Sequence, residues 1–565
     1  MDAAQRAALL SEARAWLADD PDPDARAQLV RTIDAGDIET LRDGFGEPLA
    51  FGTAGIRGVL GIGPARMNLR TVARTTAGLC RNLLDSVDDA AQRGLCIGFD
   101  GRHRSREFAM EAARVALGAG LRVSLFEDTV PTPLLAFATV ELGAAGGIMI
   151  TASHNPREYN GYKVYGPEGS QIVAPRDAHI TAGIEACGAA RALPRVALDD
   201  ARDEGRLSML SGELEARYLQ ALPEPQGDAE SLRIAYTALH GVGDALCRRA
   251  LAQAGFAHVA SVPSQATPDP QFPTVVFPNP EEPGAMDAVL ELAERDQAGL
   301  VLANDPDADR LAVAARDGNG VMRAFTGDQL GALLADHVLR CTAQARQRVV
   351  LRSIVSSRML DAIAAHHGAR AYATLTGFKW IYARARELEA QGATMVFGYE
   401  EALGYSFGQP ARDKDGIHAA VIIAQLAQRC ASGGATLWDR LRELGDQHGH
   451  HVTAQHSARY APQDGRARID AVMAELRAHP PEALGARAVL ECRDMLESTD
   501  LPAADLVILG LEGGHRVCIR PSGTEPKIKL YFECVSHLGD DRDETRATEA
   551  LAEIRSALLE RIGLS

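Results

Sequence analysis

From Gly94 onward, short apolar runs alternate with stretches long enough for helices, and this alternation limits the chain to a small set of folds. Leu95-Cys96-Ile97-Gly98-Phe99 reads as a buried strand, and Asp100 to Arg104 as a turn. Ser105 to about Ala119 reads as a helix with Ser105 as its cap, and Arg122 to Phe126 as the next strand. A strand–helix–strand unit returns the chain in its original direction, so the sheet is parallel or mostly parallel. Ligands in such sheets sit at the carboxyl ends of the strands. The residues that follow each strand therefore carry the functional information.

The chain has 565 residues, room for roughly four domains at about 150 residues each. Boundaries are expected near residues 205, 325 and 450, giving segments 1–205, 206–325, 326–450 and 451–565. The second set holds the strand Arg233 to Tyr236, a glycine turn Leu239 to Gly243, a helix to Gly255, and the apolar run Ala298 to Ala303. The Pro-rich stretch Pro263 to Pro283 reads as a loop within it. The third set opens a helix at Thr326-Gly327-Asp328 and has strands at Val349 to Leu351 and Thr394 to Phe397. Arg412 to Gly416 then leads into an apolar helix, Ile417 to Cys430. The last block has strands at Ala504 to Leu509, Arg516 to Ile519 and Lys527 to Cys534, with a closing helix from about Glu544. This is an α+β pattern with an antiparallel sheet. His448-Gly449-His450-His451, at the third boundary, reads as a solvated link.

Net charge is −17, which argues against nucleic-acid or anionic-membrane binding. The nine cysteines form no CxxC pair, as expected of reduced thiols in a cytoplasmic protein. Met1 to Leu17 reads as an amphipathic helix, so no signal peptide is expected. No apolar run reaches the roughly 18 residues a membrane span needs.

Two motifs stand out. Asn304-Asp305-Pro306-Asp307-Ala308-Asp309-Arg310 follows the apolar run Ala298 to Ala303. Three carboxylates in so small a volume repel unless something positive sits among them. Hard oxygen ligands suit Mg²⁺, which takes one or two carboxylates and a phosphate. The run lacks the glycine and the helix pair of an EF-hand. Upstream, the strand Gly146 to Ile150 delivers Thr151-Ala152-Ser153-His154-Asn155-Pro156. No GxSxG elbow surrounds Ser153, which disfavours an acyl-transfer hydrolase. Taken alone, this segment reads equally well as a turn whose side chains bond the backbone. Beside the aspartates, a phosphorylated Ser153 would supply the oxygen that completes a Mg²⁺ shell.

Other segments are less specific. Arg520-Pro521-Ser522-Gly523-Thr524-Glu525-Pro526-Lys527 offers hydroxyls, a glycine and cations, a phosphate cradle or an ordinary hairpin turn. Adjacent Glu400 and Glu401 in Gly398 to Tyr405 could accept hydrogen bonds from vicinal sugar hydroxyls, or begin a solvated helix. Thr376 to Lys379, Arg412 to Gly416 and Phe51 to Gly58 are weak by themselves. His240-Gly241-Val242-Gly243 reads as a structural turn, since a lone GxG is no nucleotide fingerprint.

In their order, Phe51 to Gly58, Thr151 to Pro156, Asp305 to Arg310, Gly398 to Tyr405 and Arg520 to Tyr531 resemble the α-D-phosphohexomutase superfamily over nearly the whole chain. Gly-Thr-Ala-Gly, Tyr-Glu-Glu-Ala-Leu-Gly-Tyr and Asp-Lys-Asp-Gly are most similar to its phosphoglucomutase-2 and phosphopentomutase branch. The resemblance implies three related mixed α/β domains plus a C-terminal α+β domain around a central cleft. It implies a phosphoserine at Ser153 and one Mg²⁺ held by Ser153, Asp305, Asp307 and Asp309. Lys163, Arg57 and His154 would serve the proton and the phosphoryl charge. Glu400 and Glu401 would grip the sugar. Arg520, Ser522, Gly523, Thr524 and Lys529 would bind the non-reacting phosphate. Arg310, Thr376, Gly377, Lys379 and Lys414 would be further substrate contacts, with Lys414 facing the substrate from the third domain. The implied reaction interconverts glucose 1-phosphate and glucose 6-phosphate, with glucose 1,6-bisphosphate as activator, in a monomer or weak homodimer. Mannose or pentose phosphates are alternatives. A phosphoserine-forming phosphatase and a non-catalytic phosphosugar-binding protein are the rival readings.

Overall fold

The computed structural model describes residues 1–52, 55–225, 231–460, 465–522, 527–536 and 544–564. They divide into two units, one of residues 1–315 with 403–429, the other of residues 316–402 with 430–565.

In the first unit, the helices Ala3–Asp19, Pro23–Asp34 and Ile38–Gly44 pack around Trp16, Leu29, Leu41 and Phe45. The first sheet runs in the order Ile56–Val59, Tyr159–Tyr165, Gly146–Ile150, Leu95–Phe99, Val123–Phe126, Leu207–Leu210. Its last four strands are parallel. Tyr159–Tyr165 and Ile56–Val59 continue it antiparallel. Leu95–Phe99 and Gly146–Ile150 are buried at every position, as expected for strands covered on both faces. The helix after the first of these spans Ser105–Gly118, but Ser105 does not cap it. Arg104 takes the cap position at φ 65°, and the Ser105 hydroxyl donates to Asp100 Oδ1 at 2.6 Å. Within a second, five-stranded sheet, this unit contributes Leu311–Arg316, Leu300–Asn304, Arg233–Thr237 and His258–Ser261 in that order; Leu311–Arg316 is antiparallel to Leu300–Asn304, and the last three are mutually parallel. The helix Gly416–Ser432 joins this unit. A Cβ on Gly416 would lie 2.3 Å from the Arg310 carbonyl oxygen, so the close approach requires glycine.

In the second unit, Arg370–Thr374, Arg348–Ser353 and Thr394–Glu400 are parallel. Helices Gly327–Cys341, Met359–His366 and Phe378–Glu389 accompany them. Thr326 caps the first of these in a reciprocal capping box with Gln329. An antiparallel sheet follows, ordered His450–Arg459, Lys527–Ser536, Arg516–Pro521, Val507–Leu511, Arg487–Asp494 and Ala483–Leu484. The helices Gly465–Ala478 and Glu544–Arg561 close its core.

The histidine run is therefore not a solvated link. His450 begins a ten-residue strand, and His451 Nδ1 lies 2.9 Å from the buried Glu533 carboxylate. Glu533 also accepts from the Ser357 hydroxyl (2.9 Å), the Arg358 main chain (2.7 Å) and the Arg358 guanidinium (2.8 Å), and pairs with Arg516 (2.9 Å). Burial alone would raise the Glu533 carboxyl, but Arg516, His451 and Arg358 hold it well below the usual glutamate range. A carboxylate depressed on folding stabilises above its unfolded value, about 4.3, and that contribution is lost as pH falls below it. Glu533→Gln is expected to cost about 3 kcal/mol at neutral pH, because it strands buried cations. It should also flatten the acid limb of stability, which runs from about 4.3 down through the depressed folded value, as urea titrations at neutral pH and at about pH 3 would reveal. Equal loss at both pH values would reject the assignment.

Candidate active site

The nucleophile candidate stands where the strand Gly146–Ile150 ends. The Ser153 N–H donates to Thr151 Oγ1 at 2.8 Å, and Ser153 has φ 54°. A non-glycine residue in this left-handed region is strained and persists only where its surroundings enforce it. The loop's return strand helps. The Thr151 N–H donates to the Gly161 carbonyl, and a Cβ on Gly161 would lie 2.6 Å from the Thr151 oxygen. Ser153 is 3 % exposed. Its hydroxyl donates to Asp305 Oδ2 at 2.8 Å and lies 3.1 Å from His154 Nδ1. Burial, with Arg310 and Arg57 adding to it, keeps the His154 imidazole neutral, well below its ordinary value.

Asp305 follows the fully buried strand Leu300–Asn304. Ala308 turns the run at φ 54°, and one ligand oxygen from each of Asp305, Asp307 and Asp309 lies within 4.8 Å of the others. The glycine turn at His240 supports this loop as a structural element. The Val242 N–H donates to the Pro306 carbonyl at 2.9 Å, and a Cβ on Gly241 would sit 2.3 Å from Pro306 Cα.

Two ammonium groups enter the cluster. Lys163 Nζ lies 2.7 Å from Asp307 Oδ2 and 3.0 Å from Asp309 Oδ2, and Lys414 Nζ lies 2.8 Å from Asp309 Oδ2. Burial raises the Asp305 and Asp307 carboxyls, and the neighbouring carboxylates add to it. Asp309 is held far down because Lys163 and Lys414 outweigh its burial. Lys163 in turn stays an ammonium, since Asp307 and Asp309 more than offset its own burial.

Among the described residues, Asp307 Oδ1 and Asp309 Oδ1 are buried without a hydrogen-bond partner. Two orphaned carboxylate oxygens in one cluster are costly unless a cation meets them. The donor set is all oxygen, so the cluster can hold a hard metal ion.

Other expected residues fall around this point. The Arg310 N–H donates to Asp305 Oδ1 at 3.0 Å, and its guanidinium lies 3.9 Å from Asp309 and 3.6 Å from Glu281. Arg57 donates to Asn155 Oδ1 at 2.8 Å. Lys414, expected over the substrate, has its ammonium 2.8 Å from Asp309 Oδ2.

The remaining expected residues belong to the second unit. The Gly377 N–H donates to Glu400 Oε1 at 2.5 Å. Glu401 Oε2 accepts from the Ser353 and Ser356 hydroxyls at 3.0 Å each, and no helix begins at this pair. Lys379 lies in the first turn of the helix Phe378–Glu389. The Arg520 guanidinium bonds the Thr376 hydroxyl. Arg520 and Lys529 are directly opposed across two antiparallel strands. The Ser522 N–H donates to the Lys527 carbonyl at 2.8 Å. Gly523 and Thr524 lie outside the described residues.

The comparisons with known proteins identify the family. The phosphoglucomutase/phosphomannomutase family models match in chain order: α/β/α domain I over residues 48–190, domain II over 216–318, domain III over 326–446 and the C-terminal domain over 491–547. The chain belongs to this family. As a family member it has three α/β/α domains and a C-terminal α+β domain, the fold class expected from the sequence. Human phosphopentomutase is 36% identical over 98% of this chain and 96% of its own length. Staphylococcus aureus phosphoglucomutase is 33% identical over 88% and 91%. The open-form crystal structure of the Paramecium phosphoprotein pp63/parafusin, a phosphoglucomutase, shares the fold at a TM-score of 0.69, 18% identity, and coverage of 92% and 96%.

Several residues of this phosphoglucomutase/phosphomannomutase family member escape the sequence reading. The Thr132 hydroxyl donates to Asp307 Oδ2 at 2.7 Å, and its N–H donates to the Asp307 carbonyl. Tyr165 and Gln171 each donate to Asp413 Oδ2 at 2.8 Å, which fixes the residue before Lys414. Nothing local marks these side chains. Arg102, bonded to the Ser153 carbonyl, did carry a signal, because it follows the strand adjacent to Gly146–Ile150 at the same sheet edge. Among the described residues, no helix is long and apolar enough to cross a membrane.

Proposed function

We propose that this protein is a phosphosugar mutase that moves a phosphoryl group between the 1- and 6-positions of a hexose phosphate through phosphoserine 153 and a sugar bisphosphate. The observation that carries the reading is the Ser153 hydroxyl, 2.8 Å from Asp305 in a strained turn, beside carboxylates with two orphaned oxygens. Family membership and the mutase names of the relatives support it.

Asp305, Asp307, Asp309 and a phosphoserine oxygen would hold Mg²⁺, which when bound neutralises charge on the transferring phosphoryl group. The sugar hydroxyl oxygen attacks phosphorus, and the bond from phosphorus to Ser153 Oγ breaks with its electron pair on that oxygen. His154, held neutral, takes the hydroxyl proton at Nδ1 and returns it to Ser153 Oγ, 3.1 Å away. The bisphosphate then gives its other phosphoryl group back to Ser153. Lys163 and Lys414 keep Asp309 ionised. Ser153 is almost fully shielded, which guards the phosphoserine from hydrolysis.

Arg520, Ser522 and Lys529 are assigned to the non-reacting phosphate. Thr376, Gly377, Lys379, Glu400 and Glu401 are assigned to the sugar, with Arg310 and Arg57 toward the phosphoryl group. Two cationic residues at opposed positions on neighbouring strands suit a phosphate at Arg520 and Lys529.

A pentose phosphate is the second reading, favoured by the 36% identity to phosphopentomutase over nearly the whole chain. Rates on glucose 1-phosphate, mannose 1-phosphate and ribose 1-phosphate, with Mg²⁺ and glucose 1,6-bisphosphate as activator, decide between the two. Isomer formation without phosphate release is expected, with glucose 1-phosphate the best substrate. A higher kcat/KM on ribose 1-phosphate would move the assignment to pentoses. Release of phosphate without isomer would make the protein a phosphatase.

A further inference from the structure

We propose that Arg102 is a positioning residue for phosphoryl transfer: its guanidinium pins the main chain of the serine loop in the conformation that aims the Ser153 oxygen. The inference rests on the phosphoserine reading above and extends it to a side chain that touches none of the reacting atoms.

Arg102 is 4 % exposed, and its fork ends on four carbonyls of one loop. Nη2 donates to the Ser153 carbonyl at 2.6 Å and to that of Asn155 at 2.5 Å. Nη1 donates to the carbonyls of Pro156 at 2.8 Å and Tyr159 at 3.2 Å. Every acceptor is main chain, so the contact fixes backbone path and not side-chain identity. Ser153 is held at φ 54°, a conformation that collapses unless its surroundings over-determine it. Thr151 secures the amide side of that residue, and Arg102 secures its carbonyl side.

The guanidinium is itself fixed on two sides. Asp100 Oδ1 accepts from the Arg102 N–H at 3.0 Å and from Ser105 at 2.6 Å, and Asp100 Oδ2 lies 3.4 Å from Arg102 Nε. The Asp100 N–H donates to the Ile150 carbonyl, so the anchor and the serine loop leave adjacent strands already joined. On the other side the Phe272 ring lies 5.0 Å from the guanidinium. Phe272 belongs to the Pro-rich loop, whose Gln271 also bonds His103 at 3.0 Å and Arg157 at 3.4 Å. That long loop thereby acquires a role, as the cover over the anchor. A lysine could not replace the arginine, since one ammonium nitrogen has three donors and cannot span four carbonyls served by two nitrogens.

The test compares Arg102→Lys with Arg195→Lys. Arg195 is a matched control: it also donates to main-chain carbonyls, those of Ala190 and Leu193, and pairs with Glu111, but it holds a different loop. Arg102→Lys is expected to lower kcat about 100-fold while KM changes by less than about threefold. Amide exchange should rise across residues 151–160. Arg195→Lys should do neither, at a similar loss of melting temperature. A near-normal kcat and normal exchange in Arg102→Lys would overturn the inference, as would an equal loss of kcat in Arg195→Lys. If Arg102→Lys does not fold, Phe272→Leu loosens the cover and keeps the fork. A smaller fall in kcat at constant KM is then expected, and an unchanged kcat overturns the inference. If the wild type turns over no sugar phosphate, the mutase reading fails on its own, while amide exchange still judges the anchor.

Discussion

Ser153→Ala is expected to reduce phosphosugar isomerisation by about 10⁴-fold or more, the scale seen when a covalent nucleophile is removed. The variant has no side-chain oxygen at position 153 to carry the phosphoryl group. Intact-mass measurement should find phosphate on the wild type after exposure to the bisphosphate and none on the variant. The substitution removes one hydrogen bond to Asp305, so the fold should survive with a loss of about 1–3 kcal/mol. A folded variant with wild-type turnover would sink the assignment of the nucleophile.

Asp307→Asn is expected to have the second largest effect, because that carboxylate ties Lys163 and Thr132 to the candidate metal cluster. One oxygen receives Lys163 and Thr132, and the other is buried without a hydrogen-bond partner. Removing its charge should lower kcat by about 10³-fold, the order of losing one major electrostatic contact to a phosphoryl group. The same change should abolish the cation-induced rise in melting temperature. A ligand at a hundred times its dissociation constant adds about 2.7 kcal/mol to the folded state, so the wild type should show a clear shift with Mg²⁺. Thr132→Val, which frees Asp307 to swing, should weaken Mg²⁺ binding about 10–100-fold. No Mg²⁺-dependent shift in the wild type would reject the metal assignment itself.

The parts of the site that could be read from the sequence share one property: they leave the ends of fully buried strands. Ser153 and Asp305 each follow five consecutive buried residues, and an apolar run ending in polar residues is visible without coordinates. The contact between Lys414 and Asp309 could not be read, because Lys414 lies about a hundred residues beyond the aspartates. Gly416 brings that segment onto the Arg310 carbonyl. Thr132 was invisible, since a threonine between two prolines signals only a helix start. Ser105 was misread because its spacing suits a cap, whereas its hydroxyl serves Asp100 five residues earlier. His448 to His451 looked solvated because histidines near a boundary usually are, yet His451 faces Glu533 across paired strands. In every case but Ser105 a partner distant in the chain decided the role.

Arg520 and Lys529, set opposite each other on neighbouring strands, have a consequence beyond recognition. A small dianion bound by both would tie two neighbouring strands through a single group. Sulfate or inorganic phosphate alone should therefore tighten that sheet, with no sugar present.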